Sequence, residues 1–431
     1  MALFNPPKGT QDIYGNRALS FAYIEDLLIS IAEVYGFIPM RTPTFEQTEL
    51  FERGVGDSSD IVRKEMYTFL DKGNRSLTLR PEGTAGVMRA ITSEKLYATN
   101  DLPLKYYYVG KFFRYERPQL GRFREFHSFG VESVGSTSPY RDAEVILLGV
   151  SALKLLGLKN ITLKINTLGD EQSRLNYKAA LKAYFKDHLT NMCADCHDRY
   201  EKNPLRILDC KVPSDQEIVK GAPNINDYLS KEALERFNQT LAVLDGYEID
   251  YEIDDLLVRG LDYYSHVVFE FHYVSNKGKD YGALGAGGHY ETLLEDVGGP
   301  ALPGVGFGMG IERLHSVLSD DGLLSEESAF ELDFYIMNVG ETSFEVAFSL
   351  LTHLRSLGYI SEMNFEKFSF RQLFKRAERK NAKYALIIGD DEVENEVIQV
   401  KDLHKEKQVA VAFSDLSDYI DTLFIEDEHN H

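Results

Sequence analysis

Ile24, Leu27, Leu28, Ile31 and Val34 recur at helical spacing across residues 21–35, predicting an amphipathic helix that Gly36 stops. Beyond it the apolar period shortens toward two. Leu77 and Leu79 alternate into Arg80-Pro81, and the run from Lys105 to Arg117 is aromatic and β-branched, so both read as strands. Residues 141–156 return to helical spacing and Ile161 to Asn166 alternates as a strand. Val267 to Val274 is a further strand, and Gly306 to Gly310 feeds a helix beginning near Ile311.

From residue 171 to 248 the chain turns polar and mostly helical in pattern, with strand-rich sequence on both sides. An inserted helical subdomain is the expected meaning. Residues 319–331 are acidic and turn-rich, as a linker would be. After it the pattern runs strand (334–339), helix (342–357), helix (370–381), strand (384–388), strand (397–401), strand (408–413) and helix (415–424), which is a small α/β domain. The acidic run from Asp390 to Glu396 reads as a solvated loop. The expected division is therefore 1–170 and 249–318 for one interrupted domain, 171–248 for the insertion, 319–331 for the linker and 332–431 for the closing domain.

Composition bounds this picture. With 431 residues, 43% hydrophobic and 27% charged, the chain is a folded protein of two or three domains. Its formal net charge of −21 argues against a general nucleic-acid coat or a membrane-surface protein, so any polyanion partner needs a local basic site. No apolar stretch long enough to span a membrane occurs, and the start, MALFNPPKGTQDIYG, has no basic region followed by an apolar one, so a cytosolic protein is expected.

Two segments carry chemistry. In Phe113-Arg114-Tyr115-Glu116-Arg117-Pro118, continuing to Phe126, a strand breaks at Pro118, turns at Gly121 and resumes, and Arg114, Arg117, Arg122 and Arg124 crowd the hairpin. A guanidinium fork binds phosphate bidentately and stays charged, and Phe126 beside it offers a face to a nucleobase. A surface hairpin with ordinary ion pairs would look the same. In Gly306-Phe307-Gly308-Met309-Gly310-Ile311-Glu312-Arg313, alternate glycines let a ligand or another element approach the backbone, and Arg313 opens the helix that follows. A tightly packed strand–helix corner is the plainer alternative.

These segments resemble motifs 2 and 3 of the class II aminoacyl-tRNA synthetases, with motif 1 at Gly36 to Arg53. Leu257-Val258-Arg259-Gly260-Leu261-Asp262-Tyr263-Tyr264 and Ala286-Gly287-Gly288-His289-Tyr290 resemble the histidyl-tRNA synthetases in particular, as do Pro7 to Asp12 and Arg80 to Ala85. The resemblance implies an α+β fold: a catalytic antiparallel sheet flanked by helices, with an inserted helical subdomain and a C-terminal α/β anticodon-binding domain. It also implies a homodimer that joins histidine to ATP, forming histidyl-adenylate, and passes the histidyl group to the 3′ end of tRNA(His).

By that resemblance Arg114 and Arg259 flank the α-phosphate and serve catalysis, with Arg259 also near histidine. Arg313 holds the γ-phosphate, Arg122 touches phosphates, Phe126 stacks on adenine with Glu116 nearby, and Mg²⁺ bridges phosphate oxygens of ATP. Glu132 accepts one imidazole N–H, Tyr264 meets the other ring nitrogen, Glu82 and Thr84 bind the α-amino group, and Tyr263 and Tyr290 line the pocket. Ser128 stands where the family usually has Gln, and His289 where it usually has Arg. Ser is too short to reach the α-amino group without a water, so weaker histidine binding is expected. The family also holds non-catalytic paralogues that act as regulatory subunits in histidine biosynthesis. They generally lack the last domain and the catalytic arginines that this chain keeps.

Arg117 and Gln119 fall where the family meets the acceptor end of tRNA. Between Lys367 and Lys383, Arg371, Lys375 and Arg379 recur every four residues, a stripe suited to phosphate contacts or simply to a solvated face. The three cysteines are too few for a disulfide framework. Cys193-Ala194-Asp195-Cys196-His197 has the form of a haem-attachment sequence, whose chemistry needs export. With Cys210 it leaves three sulfurs and His197 as a candidate fourth ligand, where structural zinc usually takes four. Reduced structural cysteines are expected, and no metal site is assigned.

Overall fold

The computed structural model describes residues 4–56, 59–117, 121–324, 331–405 and 407–428. They form two compact units, a larger one of residues 4–13 and 20–324 and a smaller one of residues 14–19 and from 331 onward.

The larger unit is built on an eight-stranded sheet. Its spatial order is Ile38–Pro39, Leu104–Phe113, Glu125–Val134, Gly304–Gly310, Asp280–Tyr290, Tyr264–Val274, Ile161–Thr167 and Tyr251–Ile253. Every inner pairing is antiparallel, and the two short edge strands join in parallel. Period-two alternation divides the sheet's side chains between two cores. Tyr107, Val109, Phe129, Val131, Phe269 and Phe271 face one side, against Asn16–Val34, Pro139–Leu155, Lys231–Gly246 and Ile311–Asp320. Tyr106, Tyr108, Phe112, Val134, Tyr264 and Val268 face the other, with Thr84–Ser93 and the helices that follow Asp170.

Glu171–Lys186, Ala194–Lys202, Pro213–Val219 and Lys231–Gly246 make up the helical segment. Asp170 caps the first through Ser173 N–H at 2.8 Å and Ser230 caps the last through Ala233 N–H at 3.0 Å. The Ser230 hydroxyl also donates to Asp170, so the two helix starts are tied together. Phe237, Leu241 and Leu244 of the last helix join the main core rather than a separate one.

In the smaller unit the strand order is Ser361–Met363, Leu332–Val339, Ala382–Gly389, Val397–Asp402 and Gln408–Ala412, the first three parallel and the last two added antiparallel. Ser343–Ser356 and Leu416–Glu428 cover one face and Phe370–Arg379 the other. The acidic run after Gly389 is a one-turn helix, Asp390–Glu394, and not a loop. Two of its acids are spent on backbone donors: Asp390 accepts from Thr342 N–H at 3.0 Å, and Glu392 from Gly389 N–H at 2.9 Å.

Candidate active site

The strands Leu104–Phe113 and Glu125–Val134 pair in register, Phe112 opposite Phe126 and Gly110 opposite Ser128. Alternation therefore brings Tyr108, Phe112, Phe126 and Ser128 to the same face, and the next strands add Gly308, Ala286 and Tyr264. A cleft opens there. Its inner part, about 220 Å³, is lined by Glu82, Thr84, Arg114, Phe126, Ser128, Arg259, Tyr263 and Tyr264 among others. Its outer part, about 310 Å³, is lined by Glu116, Arg122, Glu270, Glu312 and Arg313. Arg114, Phe126, Arg259, Ala286, Gly308 and Gly310 belong to both parts, so the two are continuous.

Each arginine is held by a fixed acceptor. Arg114 Nε donates to Pro81 C=O at 2.8 Å, and its guanidinium lies 5.5 Å from the centre of the Phe126 ring. Glu116 stands between Arg114 and Arg122, at 3.9 and 3.4 Å. Arg259 pairs with Glu270, whose other oxygen meets His272 Nε2 at 2.8 Å. Burial pushes the Glu270 carboxyl up, but His272 and Arg259 more than reverse it. Arg313 donates to Ala283 C=O. Burial first, and the charge of Arg122 second, push its guanidinium below the usual value.

The inner wall is acidic and phenolic. Glu82 is buried, and its two oxygens accept from Thr84 N–H at 2.7 Å and Ala85 N–H at 2.9 Å, at the start of Thr84–Ser93. Burial raises its carboxyl, partly offset by those bonds and by Arg114. Glu132 and Tyr290 do not reach the cleft lining; they sit beneath it. Glu132 accepts from Thr84 Oγ1 at 2.7 Å, Tyr290 OH at 2.8 Å and Tyr108 OH at 3.3 Å. Burial pushes its carboxyl up to about 8. Gly306 makes this possible: a Cβ there would stand 2.0 Å from Glu132 Oε2. The Ser128 hydroxyl donates to Met309 C=O at 3.0 Å, so its proton is spent on the sheet.

The remaining expected residues lie elsewhere. Arg117 is exposed beyond the first strand of the hairpin, and Gln119 lies outside the described residues. Arg371, Lys375 and Arg379 are exposed on Phe370–Arg379 of the smaller unit, and no ion pair engages them among the described residues. His289 is buried with Asp142, Nδ1 to Oδ1 at 2.8 Å, and Arg236 meets the other Asp142 oxygen at 2.6 Å. Burial pushes the Asp142 carboxyl up, and His289 and Arg236 bring it below its usual value.

Two site residues escape sequence reasoning. Glu270 is the single acid in the apolar run Val267-Val268-Phe269-Glu270-Phe271, and that isolation was a usable signal. Glu312 fixes the strand entering the cleft: its oxygens accept from His127 N–H at 3.0 and 2.9 Å and meet His127 Nδ1 at 2.8 Å. Nothing local in the sequence announces that pairing across 185 positions.

Comparison with known proteins gives consistent results. Residues 9–314 match the family described as histidyl-tRNA synthetase, and residues 333–423 match an anticodon binding domain. The histidine–tRNA ligase of Bacillus licheniformis is 44% identical over 423 residues, covering 97% of this chain and 99% of its own. That of Lactiplantibacillus plantarum is 45% identical over 415 residues, covering 96% and 97%. Among solved structures, apo S. aureus histidyl-tRNA synthetase superposes with a TM-score of 0.83 at 36% identity, over 97% of this chain and 100% of that one.

Proposed function

The chain belongs to the histidyl-tRNA synthetase family, and on that footing we propose that it is a working histidine–tRNA ligase. It joins histidine to ATP as histidyl-adenylate, releases pyrophosphate, and transfers the histidyl group to the 3′ end of tRNA(His). The observation that carries this reading is the convergence of Arg114, Arg122, Arg259 and Arg313 on one continuous cleft.

The chemistry asks for that arrangement. A carboxylate must attack a phosphoryl group that already carries negative charge, so bringing the two together is the main electrostatic cost. Arg114 and Arg259 border both parts of the cleft and can neutralise the α-phosphate from two directions. Their ties to Pro81 C=O and Glu270 set the guanidiniums before substrate arrives, which lowers the reorganisation cost. Arg122 and Arg313 repel each other until a polyphosphate lies between them. ATP enters as its Mg²⁺ complex, a substrate, with adenine stacked on Phe126.

Histidine takes the inner part. Glu82 uses one lone pair of each oxygen on the helix start and keeps the others for an α-ammonium group. Tyr264 offers its hydroxyl to the imidazole. Glu132 keeps acceptor capacity on its carbonyl oxygen even when protonated, and that oxygen reaches the imidazole N–H once Tyr108, its longest partner, gives way.

The exposed stripe Arg371, Lys375 and Arg379, outside any ion pair among the described residues, supports tRNA backbone contact by the smaller unit, and Arg117 supports contact at the acceptor end. Ile38, Phe45, Phe69 and Leu70 are exposed on the edge strand and on the small sheet of Phe45–Gln47, Ser76–Leu79 and Tyr67–Leu70, which supports a second copy covering them. No helix among the described residues is long and apolar enough to cross a membrane.

Pyrophosphate exchange tests the reading. Exchange into ATP should depend on histidine and on no other amino acid, and charging of tRNA(His) should follow. Absence of histidine-dependent exchange would overturn it in favour of a binding-only paralogue.

A further inference from the structure

The cysteine spacing offers three sulfurs and a histidine; the fold supplies a different fourth group. Cys193, Cys196, Cys210 and Asp215 each present one ligand atom, and all four atoms lie within 4.8 Å of one another. Cys193 Sγ is 3.9 Å from Cys210 Sγ, which is 3.3 Å from Asp215 Oδ2. A tetrahedral Zn²⁺ with bonds of about 2.3 Å to sulfur and about 2.0 Å to oxygen has edges of about 3.8 Å between sulfurs and about 3.5 Å between sulfur and oxygen. Two of the observed spacings, 3.9 and 3.3 Å, fall close to those edges, and the widest lies within 4.8 Å, so a bound ion needs only small side-chain shifts.

Burial gives an independent reason to look for a cation. Asp215 and Cys196 are 0% exposed and Cys210 is 3% exposed. A carboxylate taken out of water calls for a counter-charge. Among the described residues Asp215 finds neutral donors: Cys193 N–H at 3.0 Å, Ser214 Oγ at 3.2 Å and the Cys210 thiol. No Lys, Arg or His pairs with it there.

We infer that Cys193, Cys196, Cys210 and Asp215 form a tetrahedral site for a thiophilic divalent cation of the Zn²⁺ class. Cys193 caps and Cys196 opens Ala194–Lys202, Cys210 ends the short helix Pro204–Asp209, and Asp215 lies in the first turn of Pro213–Val219. The cation joins three short helices whose buried side chains already share one core. Between the ligands, Asn203 donates to Asp262 Oδ1 at 2.8 Å and Arg206 to Arg259 C=O at 3.1 Å. The site thus braces the loop that carries Arg259 from behind. That last consequence rests on the ligase reading; the metal site does not.

Full-length protein made without a polyhistidine tag, in zinc-supplemented medium and under thiol reductant, is assayed for metal and then titrated with Co²⁺ after chelation. The expected result is about one zinc per chain, and one equivalent of Co²⁺ giving thiolate-to-metal charge transfer and intense tetrahedral ligand-field bands. Asp215→Asn should weaken Co²⁺ binding by at least about tenfold, and Asp195→Asn, at an exposed neighbouring acid, should not. Trace zinc with no thiolate–cobalt absorption in the unmodified protein would overturn the site whatever the variants do. So would full metal content in both Cys196→Ser and Asp215→Asn. Exchange activity enters neither readout, so failure of the ligase reading is scored separately.

Discussion

Glu132 holds a proton that the unfolded chain would release. Its folded pKa, about 8, lies above the ordinary value of 4.5 because burial disfavours the carboxylate. Folding therefore binds a proton, and that contribution is fully present below the unfolded value and lost as pH rises through the folded one. Denaturant melts from about pH 5 to about pH 9 should show Glu132→Gln gaining stability relative to the parent as pH rises; parallel curves would contradict this. Arg259 calls for a different measurement. Arg259→Gln removes transition-state charge, so kcat for exchange should fall by about two to three decades, with a smaller change in the KM for histidine. Ser128 has spent its hydroxyl on Met309 C=O, and on the proposed reading that leaves the α-amino group of histidine one partner short. Ser128→Gln should lower the KM for histidine roughly fivefold, the worth of about 1 kcal/mol from one hydrogen bond; an unchanged or higher KM would count against that role. These three positions also mark the limits of reading at this scale. Residue type and spacing brought Arg259 and Ser128 into view, but the depth of Glu132 below the cleft follows from Gly306 on a strand far along the chain.

At the scale of elements, Asp142 joins two helices. It sits on Pro139–Leu155 and receives Arg236 from Lys231–Gly246, with His289 of the sheet as third member. Asp142→Asn leaves Arg236 without its counter-ion and should cost about 3 kcal/mol or more in urea melts. Beside His289, Arg236 already supplies a guanidinium to Asp142. His289→Arg would set two cations on one buried carboxylate, so it should destabilise the protein, and Arg236→Met should relieve much of that loss. Elements of this kind were legible in the sequence where the pattern is local. The strand alternation from Lys105, which ends at Phe113 rather than Arg117, and the order after residue 332, apart from the short strand Ser361–Met363 and the turn Asp390–Glu394, come from neighbours in the chain. What stayed hidden depends on pairing at a distance. The acids after Gly389 form a helical turn because Asp390 binds backbone N–H groups 47 and 48 positions earlier. Asp215 likewise joins the cysteines only through the folding of three short helices.

For the whole molecule, a net charge of −21 and a polyanionic partner are compatible because the positive charge is concentrated. On the proposed reading the cleft arginines meet the small phosphates of ATP, and the exposed stripe on Phe370–Arg379 meets the long backbone of tRNA. Replacing Arg371, Lys375 and Arg379 together by Ala should raise the Kd for tRNA(His). It should also flatten the plot of log Kd against log salt by roughly two units, from counter-ions no longer released. An unchanged slope would assign the stripe to solvent. The two-sided sheet has a consequence for how this protein can change. Within Glu125–Val134, Phe126 and Ser128 border the cleft, whereas Phe129 and Val131, on the opposite beat, lie in the core. A library randomised across Glu125–Val134 should therefore return tolerance in a two-beat rhythm, with growth following chemistry on one beat and melting temperature on the other. Heat resistance could then be bred into Phe129 and Val131 without altering what the cleft selects.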